Sequence, residues 1–530
     1  MRDLLAALSL ERWVLPALLT WPLIGAALVL GLGRVPEMAA DGRASDARGG
    51  FADVRNLALV VLIGEAVLAL GLWVIFEPGI AGWQGRVDLP WIPEWGARLS
   101  LGVDGLSLVM IAMTALLMPF TVLGSWRNVG EKPKSYYALL LVLMTGTIGV
   151  FTALDLLLFY VCWELVLVPM FFMIGISGGA RRQGASVKYF IYTTLGSLLM
   201  LVAIIALWVK GGQTSFDRDT LLVATRGALT LKAQLLMFGG FFLAFAIKSA
   251  FFPFHTWMPD AQHEAPISGA VALGVKVGTY GMLRFALPLF PAAVLHPTVR
   301  TVIVAVAVAG ILYGALVAMV QPDLKRLASY ASVSHLGFVV LGIFALTPES
   351  IHGAMVVMLN HGISMGALFL LVGMLQDRRG TGLIPRFGGL ARVAPMLGVL
   401  LVLVTLSTVG LPATNGFVGE FLVLLGTFRT YPVAATVATV GVILAAVYLL
   451  RAVQRVLFGP LDDEANRGLP DLDGRELVAM TAFAVAILWL GVAPGPVLRR
   501  MEGPIQRLIA QVQRGGEAAP EVAAAPDLTR

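Results

Sequence analysis

Charged residues are scarce in this sequence. Only 13% of its 530 residues are Asp, Glu, Lys or Arg, whereas 58% are hydrophobic. An ordinary soluble domain carries roughly 25% charged residues, so the composition excludes a soluble globule of this length. The high apolar content also excludes a disordered chain, because disordered chains are polar and highly charged.

Cysteine is nearly absent as well, since Cys162 is the only one. The chain therefore forms no internal disulfide and holds no cysteine-ligated iron–sulfur cluster, which needs several thiolates. The basic residues form no dense run, so the net charge of +6 does not indicate nucleic-acid binding. A cleavable signal peptide is not expected, because Arg2, Glu11 and Arg12 precede a long first span without a small-residue cleavage pattern.

Long hydrophobic runs are what the sequence has instead. A helix needs about 20 apolar residues to cross a ~30 Å hydrocarbon core, whereas a membrane β-barrel shows alternating segments of roughly ten residues. The runs here are continuous, which predicts an all-α polytopic membrane protein of about 14 transmembrane helices. The predicted spans are 13–33, 57–77, 101–125, 136–154, 156–177, 187–209, 234–258, 266–290, 299–320, 325–346, 351–375, 394–428, 433–457 and 476–496.

Proline and glycine interrupt the seventh and twelfth spans, with Phe-Pro-Phe-His at 252–255 and Gly-Leu-Pro-Ala-Thr-Asn-Gly at 410–416. Proline removes a backbone hydrogen bond, and broken backbone survives at membrane depth only where protein buries it or where it lines a wet cavity. Such a pair, five spans apart, predicts two inverted five-helix repeats with broken helices 7 and 12. The predicted divisions are 1–130 for helices 1–3, 131–292 for the first repeat (helices 4–8), 293–460 for the second (helices 9–13), and 461–530 for the last helix and a tail that starts with a short amphipathic stretch.

The distribution of lysine and arginine predicts the orientation, because cytoplasmic loops carry an excess of both. Twenty fall in loops on the side opposite the N-terminus, and eleven fall on the N-terminal side, or sixteen with the arginines of the C-terminal tail. Both termini are therefore expected in the periplasm of a bacterium, with the chain in the inner membrane.

Six ionisable residues lie well inside predicted spans. A charge at the centre of a transmembrane helix costs about 2.5–3.5 kcal/mol, so six unpaired charges are too expensive to be accidental. His335 lies ten residues after Lys325, which is ~15 Å deeper at 1.5 Å per residue and near the middle of the membrane. Lysine and histidine flanked by glutamate suit proton transfer. The predicted relay residues are Glu164, Lys248, Lys276, His335, His361 and Glu420.

A purely structural role is an alternative for several of these residues. Glu164 is also consistent with a static partner of Lys248, and both histidines with hydrogen-bonded core residues. His255 is a candidate for proton entry or a cap for broken backbone, and Lys325 is a candidate for proton entry or a charge of a cytoplasmic loop.

Five segments resemble helices 5, 7, 10, 11 and 12 of the antiporter-like membrane subunits of respiratory complex I. They are CWELVLVPMFFMIG at 162–175, AFAIKSAFFPFHTWMPDAQHEAP at 244–266, DLKRLASYASVSHLGFVVLG at 323–342, NHGISMGALFLLVGML at 360–375 and GLPATNGFVGEF at 410–421. The same family includes Mrp-type cation/proton antiporters and membrane-bound hydrogenases. Complex I has three such sister subunits, and two of them, L and N, typically carry lysine where this sequence has Glu420. The sequence also ends without the long lateral helix of L. The resemblance is therefore strongest to the third of these subunits.

The resemblance implies a role for each residue. Glu164 and Lys248 resemble the switch pair and Lys276 the central relay lysine. His335 and His361 resemble the bridge to the second half, and Glu420 the last carrier before the exit.

The resemblance also implies that this chain binds no cofactor. Flavin, iron–sulfur clusters and quinone are expected in other subunits of NADH:quinone oxidoreductase, with L and N as neighbours in the bilayer. A sodium/proton-exchanging antiporter chain of the Mrp type and a hydrogenase subunit stay open as alternatives, although a sodium site needs carboxylates and carbonyls rather than lysine and histidine. A purely structural subunit is a further alternative, and it would not need six interior charges.

Overall fold

Thirteen helices in the described part of the chain are long and apolar enough to cross a membrane, which confirms the polytopic all-α class. The computed structural model describes residues 10–34, 53–80, 82–127, 129 and 132–517. The polar segment 39–56, rich in Asp, Gly and Arg, is predicted from the sequence to be a loop, and it lies outside the described residues up to position 52. Residues 1–9 and the tail beyond 517 also lie outside them.

The helices are α1 (Leu10–Leu32), α2 (Val54–Ile75), α3 (Gly105–Gly124), α4 (Pro133–Thr152), α5 (Leu156–Ser177), α6 (Arg182–Lys210), α7 (Arg218–Ala224), α8 (Leu231–Lys248), α9 (Trp257–Glu264), α10 (Ile267–Ala272), α11 (Val277–Gly281), α12 (Leu287–Leu289), α13 (Pro291–Leu295), α14 (Pro297–Met319), α15 (Leu324–Ala345), α16 (Pro348–Asn360), α17 (Gly366–Arg379), α18 (Pro395–Val409), α19 (Asn415–Thr430), α20 (Pro432–Phe458), α21 (Glu464–Arg467), α22 (Gly474–Val492) and α23 (Gly495–Glu517). Two π-helical turns, Met282–Ala286 and His361–Met365, continue α11 and α16.

The helices stop at both proline-containing segments. Helix α8 ends at Lys248 and α9 begins at Trp257, while α18 ends at Val409 and α19 begins at Asn415. Helices α18 and α19 have 15 and 16 residues, so the predicted twelfth span is two helices that are each shorter than a membrane crossing. This division accounts for thirteen long helices where the sequence predicts about fourteen.

The predicted eighth span is also interrupted, at a place where no sequence pattern predicts it. Residues 273–276 separate α10 from α11, and Lys276 lies at the start of α11 with φ −89° and ψ 56°. The amide of Gly274 donates to the carbonyl of Val271 and the amide of Val277 to that of Val275, so local turns satisfy part of the broken backbone. No proline lies in this segment.

A β-hairpin precedes the third span. Strands β1 (Gln84–Ile92) and β2 (Ala97–Val103) pair antiparallel, and Asp104 then caps α3 by accepting hydrogen bonds from the amides of Leu106 and Ser107. The predicted start of this span at 101 is therefore wrong, because residues 101–103 belong to the strand.

The amphipathic stretch near the C-terminus is longer than predicted. Helix α23 has 23 residues, and its buried side chains recur every three or four positions: Val497, Met501, Ile505, Leu508 and Val512. It lies across the ends of α3, α13 and α16.

The most enclosed spans lie at the centre of the bundle. The apolar windows of Ile267–Leu289, α15 and Pro348–Arg379 are 89%, 94% and 100% buried, whereas those of α2, α20 and α22 are each 33% buried. The three central spans carry Lys276, His335 and His361, so these polar side chains face protein rather than lipid.

Candidate proton-relay site

His335 and Glu420 are in direct contact. Nδ1 of His335, near the middle of α15, lies 2.9 Å from Oε1 of Glu420 on α19, and both residues are buried. Helix α15 also packs against α19, so tertiary packing of two spans far apart in sequence brings the two groups together. An imidazole and a carboxyl at this distance can share or exchange a proton.

A small cavity lies beside this pair. It has a volume of about 20 Å³, and the residues that line it include His335, Asn360, His361, Ser364 and Glu420. A space of 10–15 Å³ is enough for one water when two to four polar partners surround it. Within the described chain, Nε2 of His335, both ring nitrogens of His361 and Oδ1 of Asn360 are buried without a hydrogen-bond partner. A water in this cavity would connect His361 with the His335–Glu420 pair.

Serine and asparagine side chains hold the surrounding backbone in place. Asn360 donates to the backbone carbonyl of Asn415. The hydroxyls of Ser364 and Ser407 lie 2.7 Å apart, and both donate to Oδ1 of Asn415. These bonds connect the end of α16, the following π-helical turn, α18 and the start of α19, so the interruption between α18 and α19 is fixed next to the cavity. None of the four was predicted as a site residue from the sequence.

Gly410 lies against the carboxyl of Glu420. Its φ is +85°, and a Cβ at this position would lie 3.1 Å from Oε2 of Glu420. A side chain is disfavoured there because of the left-handed backbone and because it would push on the carboxyl. The glycine at the end of α18 therefore helps to set the position of Glu420.

Lys276 lies on the other side of His361. It is buried, and its ammonium group makes no hydrogen bond to the residues that the structure describes. The interrupted segment that carries it packs beside the histidine, since a Cβ at Gly274 would lie 3.7 Å from Nδ1 of His361. Lys276 and His335 both interact electrostatically with His361. The order along the bundle is therefore Lys276, His361, His335 and Glu420.

Lys248 and Glu164 form a second group. The Lys248 ammonium donates to the hydroxyl of Tyr189 at 3.1 Å and lies 5.6 Å from the ring centroid of Trp163. Glu164 interacts with it electrostatically, although no nitrogen–oxygen distance between them is within 4.0 Å in the described structure. Oε1 of Glu164 is buried without a hydrogen-bond partner among the described residues. The two charges therefore interact electrostatically without direct contact between the ammonium and the carboxylate.

The two groups meet where α8 and α11 touch. Gly278, two residues after Lys276, packs against the hydroxyl of Ser249, the residue after Lys248. That hydroxyl is also buried without a partner in the described chain.

The two entry candidates have different surroundings. Lys325 is buried, and its ammonium donates to the carbonyls of His263 and Ala265 at 2.8 and 2.6 Å, where a cation is favoured at the C-terminal end of helix α9. It is therefore not an exposed loop charge. The ring of His255 stacks on Phe252 and packs edge-on against Tyr313, and its Nδ1 is buried with no partner in the described part of the chain.

Glu65 is an interior charge that was not predicted from the sequence. Glu65 lies in α2, inside the predicted second span, and is fully buried with both carboxyl oxygens unpartnered among the described residues. A single acid in an otherwise lipid-like helix was a signal that could have found it. It lies apart from the relay residues, on a helix that packs against α1 and α3.

A family of membrane proteins shares this arrangement of helices. The transmembrane family described as NADH:quinone oxidoreductase/Mrp antiporter matches residues 153–445, the range that holds all six relay candidates. The chain belongs to this family.

Its relatives narrow the identification. The chain is 41% identical over 487 residues to NADH-quinone oxidoreductase subunit M of Rhodobacter capsulatus, covering 90% of this chain and 92% of the relative. It is 38% identical to subunit M of Escherichia coli, covering 84% and 90%. Among solved structures, a chain of respiratory complex I from Thermus thermophilus with bound NADH superposes with a TM-score of 0.83 at 31% identity, covering 96% of this chain and 100% of that one.

Proposed function

We propose that this chain is the proton-translocating membrane subunit of an NADH:quinone oxidoreductase, equivalent to the relatives named subunit M. The observation that carries the proposal is the His335–Glu420 contact opening on a water-sized cavity beside His361. A scaffold would gain nothing from a partly satisfied polar cavity, because each buried unpaired group costs stability.

The proton path runs along the buried line. Glu164 and Lys248 receive and gate the proton, Lys276 carries it to the centre, and His361 and His335 pass it to Glu420. His361 reaches His335 through the water-sized cavity, and Glu420 then releases the proton towards the exit. Lys325 and His255 lie on the entry side.

A change in the separation of Glu164 and Lys248 controls when the proton moves. At ~4 Å and an effective dielectric of about 20, a Glu–Lys pair is worth about 4 kcal/mol. Moving one charge through 100 mV requires ~2.3 kcal/mol. Opening and closing the Glu164–Lys248 pair is therefore a large enough change to drive a proton against the membrane potential.

The surrounding architecture belongs to the same proposal. Residues 131–292 and 293–460 form two inverted repeats, with α8–α9 and α18–α19 as their equivalent broken helices, between the N-terminal helices of 1–130 and the final segment 461–530. The chain lies in a bacterial inner membrane with periplasmic termini. Subunits L and N are its neighbours, and flavin, iron–sulfur clusters and quinone are held by other subunits.

The test is proton pumping by the assembled complex in proteoliposomes, followed with a pH-sensitive dye. Glu164→Gln and Lys248→Ala are expected to reduce pumping strongly, because removing one member of a buried charged pair leaves the other uncompensated at a cost of about 3–5 kcal/mol. Lys232→Ala removes an exposed lysine from the same helix α8 and is expected to pump normally.

Two results would count against the proposal. Normal pumping by both variants in a normally assembled complex would assign the pair a structural role. Loss of wild-type pumping when sodium is removed would favour sodium/proton exchange instead.

A further inference from the structure

A second polar cavity lies outside the relay, beneath helix α23. It has a volume of about 200 Å³, and its walls include Trp83, Arg218, Arg284, Arg507 and Gln511. Two carboxylates, Asp104 and Asp219, also line the cavity, so its three arginines leave an excess of positive charge. None of the relay candidates lines it.

The deepest cation, Arg284, is fully compensated. Its guanidinium donates to both carboxyl oxygens of Asp104 at 2.5 and 2.9 Å, and also to the hydroxyls of Ser107 and Tyr280. It lies 4.6 Å from the ring centroid of Trp83. This group fixes the floor of the cavity and needs no further anion.

Arg218 is compensated less completely. Its side chain is 8% exposed, while that of its acidic partner Asp219 is 47% exposed. It donates once to the Arg284 carbonyl, once to Asp219 and once, at 3.4 Å, to Gln511. A guanidinium has five N–H donors, so two remain without a hydrogen-bond partner in the described structure. Burial lowers the pKa of Arg218 below its usual range; Asp219 opposes this effect and the charge of Arg284 adds to it.

Arg507 lies at the mouth of the cavity on the exposed side of α23, and it makes no ion pair with the described residues. A neighbouring cavity of about 240 Å³ shares Gln511 and is lined by Arg226, Arg514 and apolar side chains such as Leu222. The positive charge therefore continues along the same helix next to an apolar surface.

We propose that the cavity formed by Trp83, Arg218, Arg507 and Gln511 binds a phosphate-bearing anion. Arginine offers paired N–H groups that match phosphate oxygens, and the buried Arg218 has donors left to use. The phosphate comes either from the headgroup of an anionic phospholipid at the membrane surface or from inorganic phosphate. The site does not depend on the proposed function, because it shares no residue with the relay.

The experiment measures ligand binding to the full-length chain, purified with whatever subunits accompany it and stripped of lipid in detergent. The probes are phosphatidylglycerol, phosphatidylcholine and inorganic phosphate, each titrated separately and counted by native mass spectrometry. The variant is Arg507→Gln, because Arg507 is exposed and its loss leaves the core intact. Arg499→Gln removes an equal charge from an exposed position of the same helix, away from both cavities.

We expect saturable binding of one phosphatidylglycerol per chain, weakened about tenfold by Arg507→Gln, which corresponds to about 1.4 kcal/mol. Arg499→Gln is expected to bind as the wild type does, and phosphatidylcholine to bind without saturation. Saturable binding of inorganic phosphate with the same sensitivity to Arg507, without lipid binding, would support the site and assign the free ion as its ligand. Equal affinities of the two variants, or no saturable binding of either anion, would overturn the proposal.

Discussion

Replacing Glu420 by glutamine tests the end of the relay most directly. The change keeps the size of the side chain and removes the charge that faces His335 at 2.9 Å. With His335 protonated and Glu420 ionised, Coulomb's law at an effective dielectric of about 20 gives about 6 kcal/mol for this contact. That is more than twice the ~2.3 kcal/mol needed to move a charge through 100 mV, so no ordinary membrane potential replaces the lost interaction. We expect Glu420→Gln to be nearly inactive in pumping.

The assay is pumping per NADH oxidised in proteoliposomes that contain the assembled complex. Glu420→Asp keeps the acid on a shorter side chain and is expected to retain partial activity. Glu420→Lys restores a titratable group with inverted charge states, so it is expected to pump more than the glutamine variant and less than the wild type. Glu502→Gln makes the same chemical change at an exposed site on α23 and serves as the control.

One result would refute the reasoning. If Glu420→Gln assembles normally and pumps as well as the wild type, Glu420 carries no proton. The exit would then leave the relay earlier, and His361 is the first residue to substitute next.

Two further predictions concern the surroundings of the relay. Gly410→Ala is expected to reduce pumping by displacing the nearby carboxyl, whereas Gly380→Ala, at a similar φ of +72° but in open space, is expected to cost only stability; equal pumping by the two variants would contradict this. Burial would raise the pKa of Asp104, but the charge and hydrogen bonds of Arg284 lower it below 3.8, so its stabilisation is full above that pH and is lost as the pH falls through the lowered pKa. Asp104→Asn is therefore expected to lower the free energy of unfolding by about 3–5 kcal/mol at neutral pH, as measured by tryptophan-detected unfolding. The difference from the wild type is expected to be smaller below pH 3.8. A difference that does not depend on pH would contradict the assignment.

The sequence predicted the class of fold, because this follows from composition, whereas the site residues remain a prediction based on charges placed inside apolar spans. Apolar runs of 20 residues have few structural outcomes, and a charge such as Lys276 or His335 within one is conspicuous. The contact between His335 and Glu420 was not predictable from spacing, since it depends on how α15 packs against α19.

Other features were missed because their cause is tertiary. The interruption at 273–276 contains no proline, and π-helical turns such as His361–Met365 carry no residue signature, although such turns are frequent at functional sites. The hairpin of β1 and β2 was missed because an apolar strand next to a span reads as part of that span. Asn360 and Asn415 look ordinary in sequence, and they matter only because their side chains meet next to the cavity.

The position of helix α23 has a consequence for biosynthesis. The carbonyl of Arg500 packs so closely on Gly105 that a Cβ there would overlap it. The two residues leave the ribosome far apart in time, roughly 20–80 s at 5–20 residues per second. Throughout that interval the N-terminal end of α3 lacks the cover that α23 provides, and a chain truncated before α23 keeps this end uncovered.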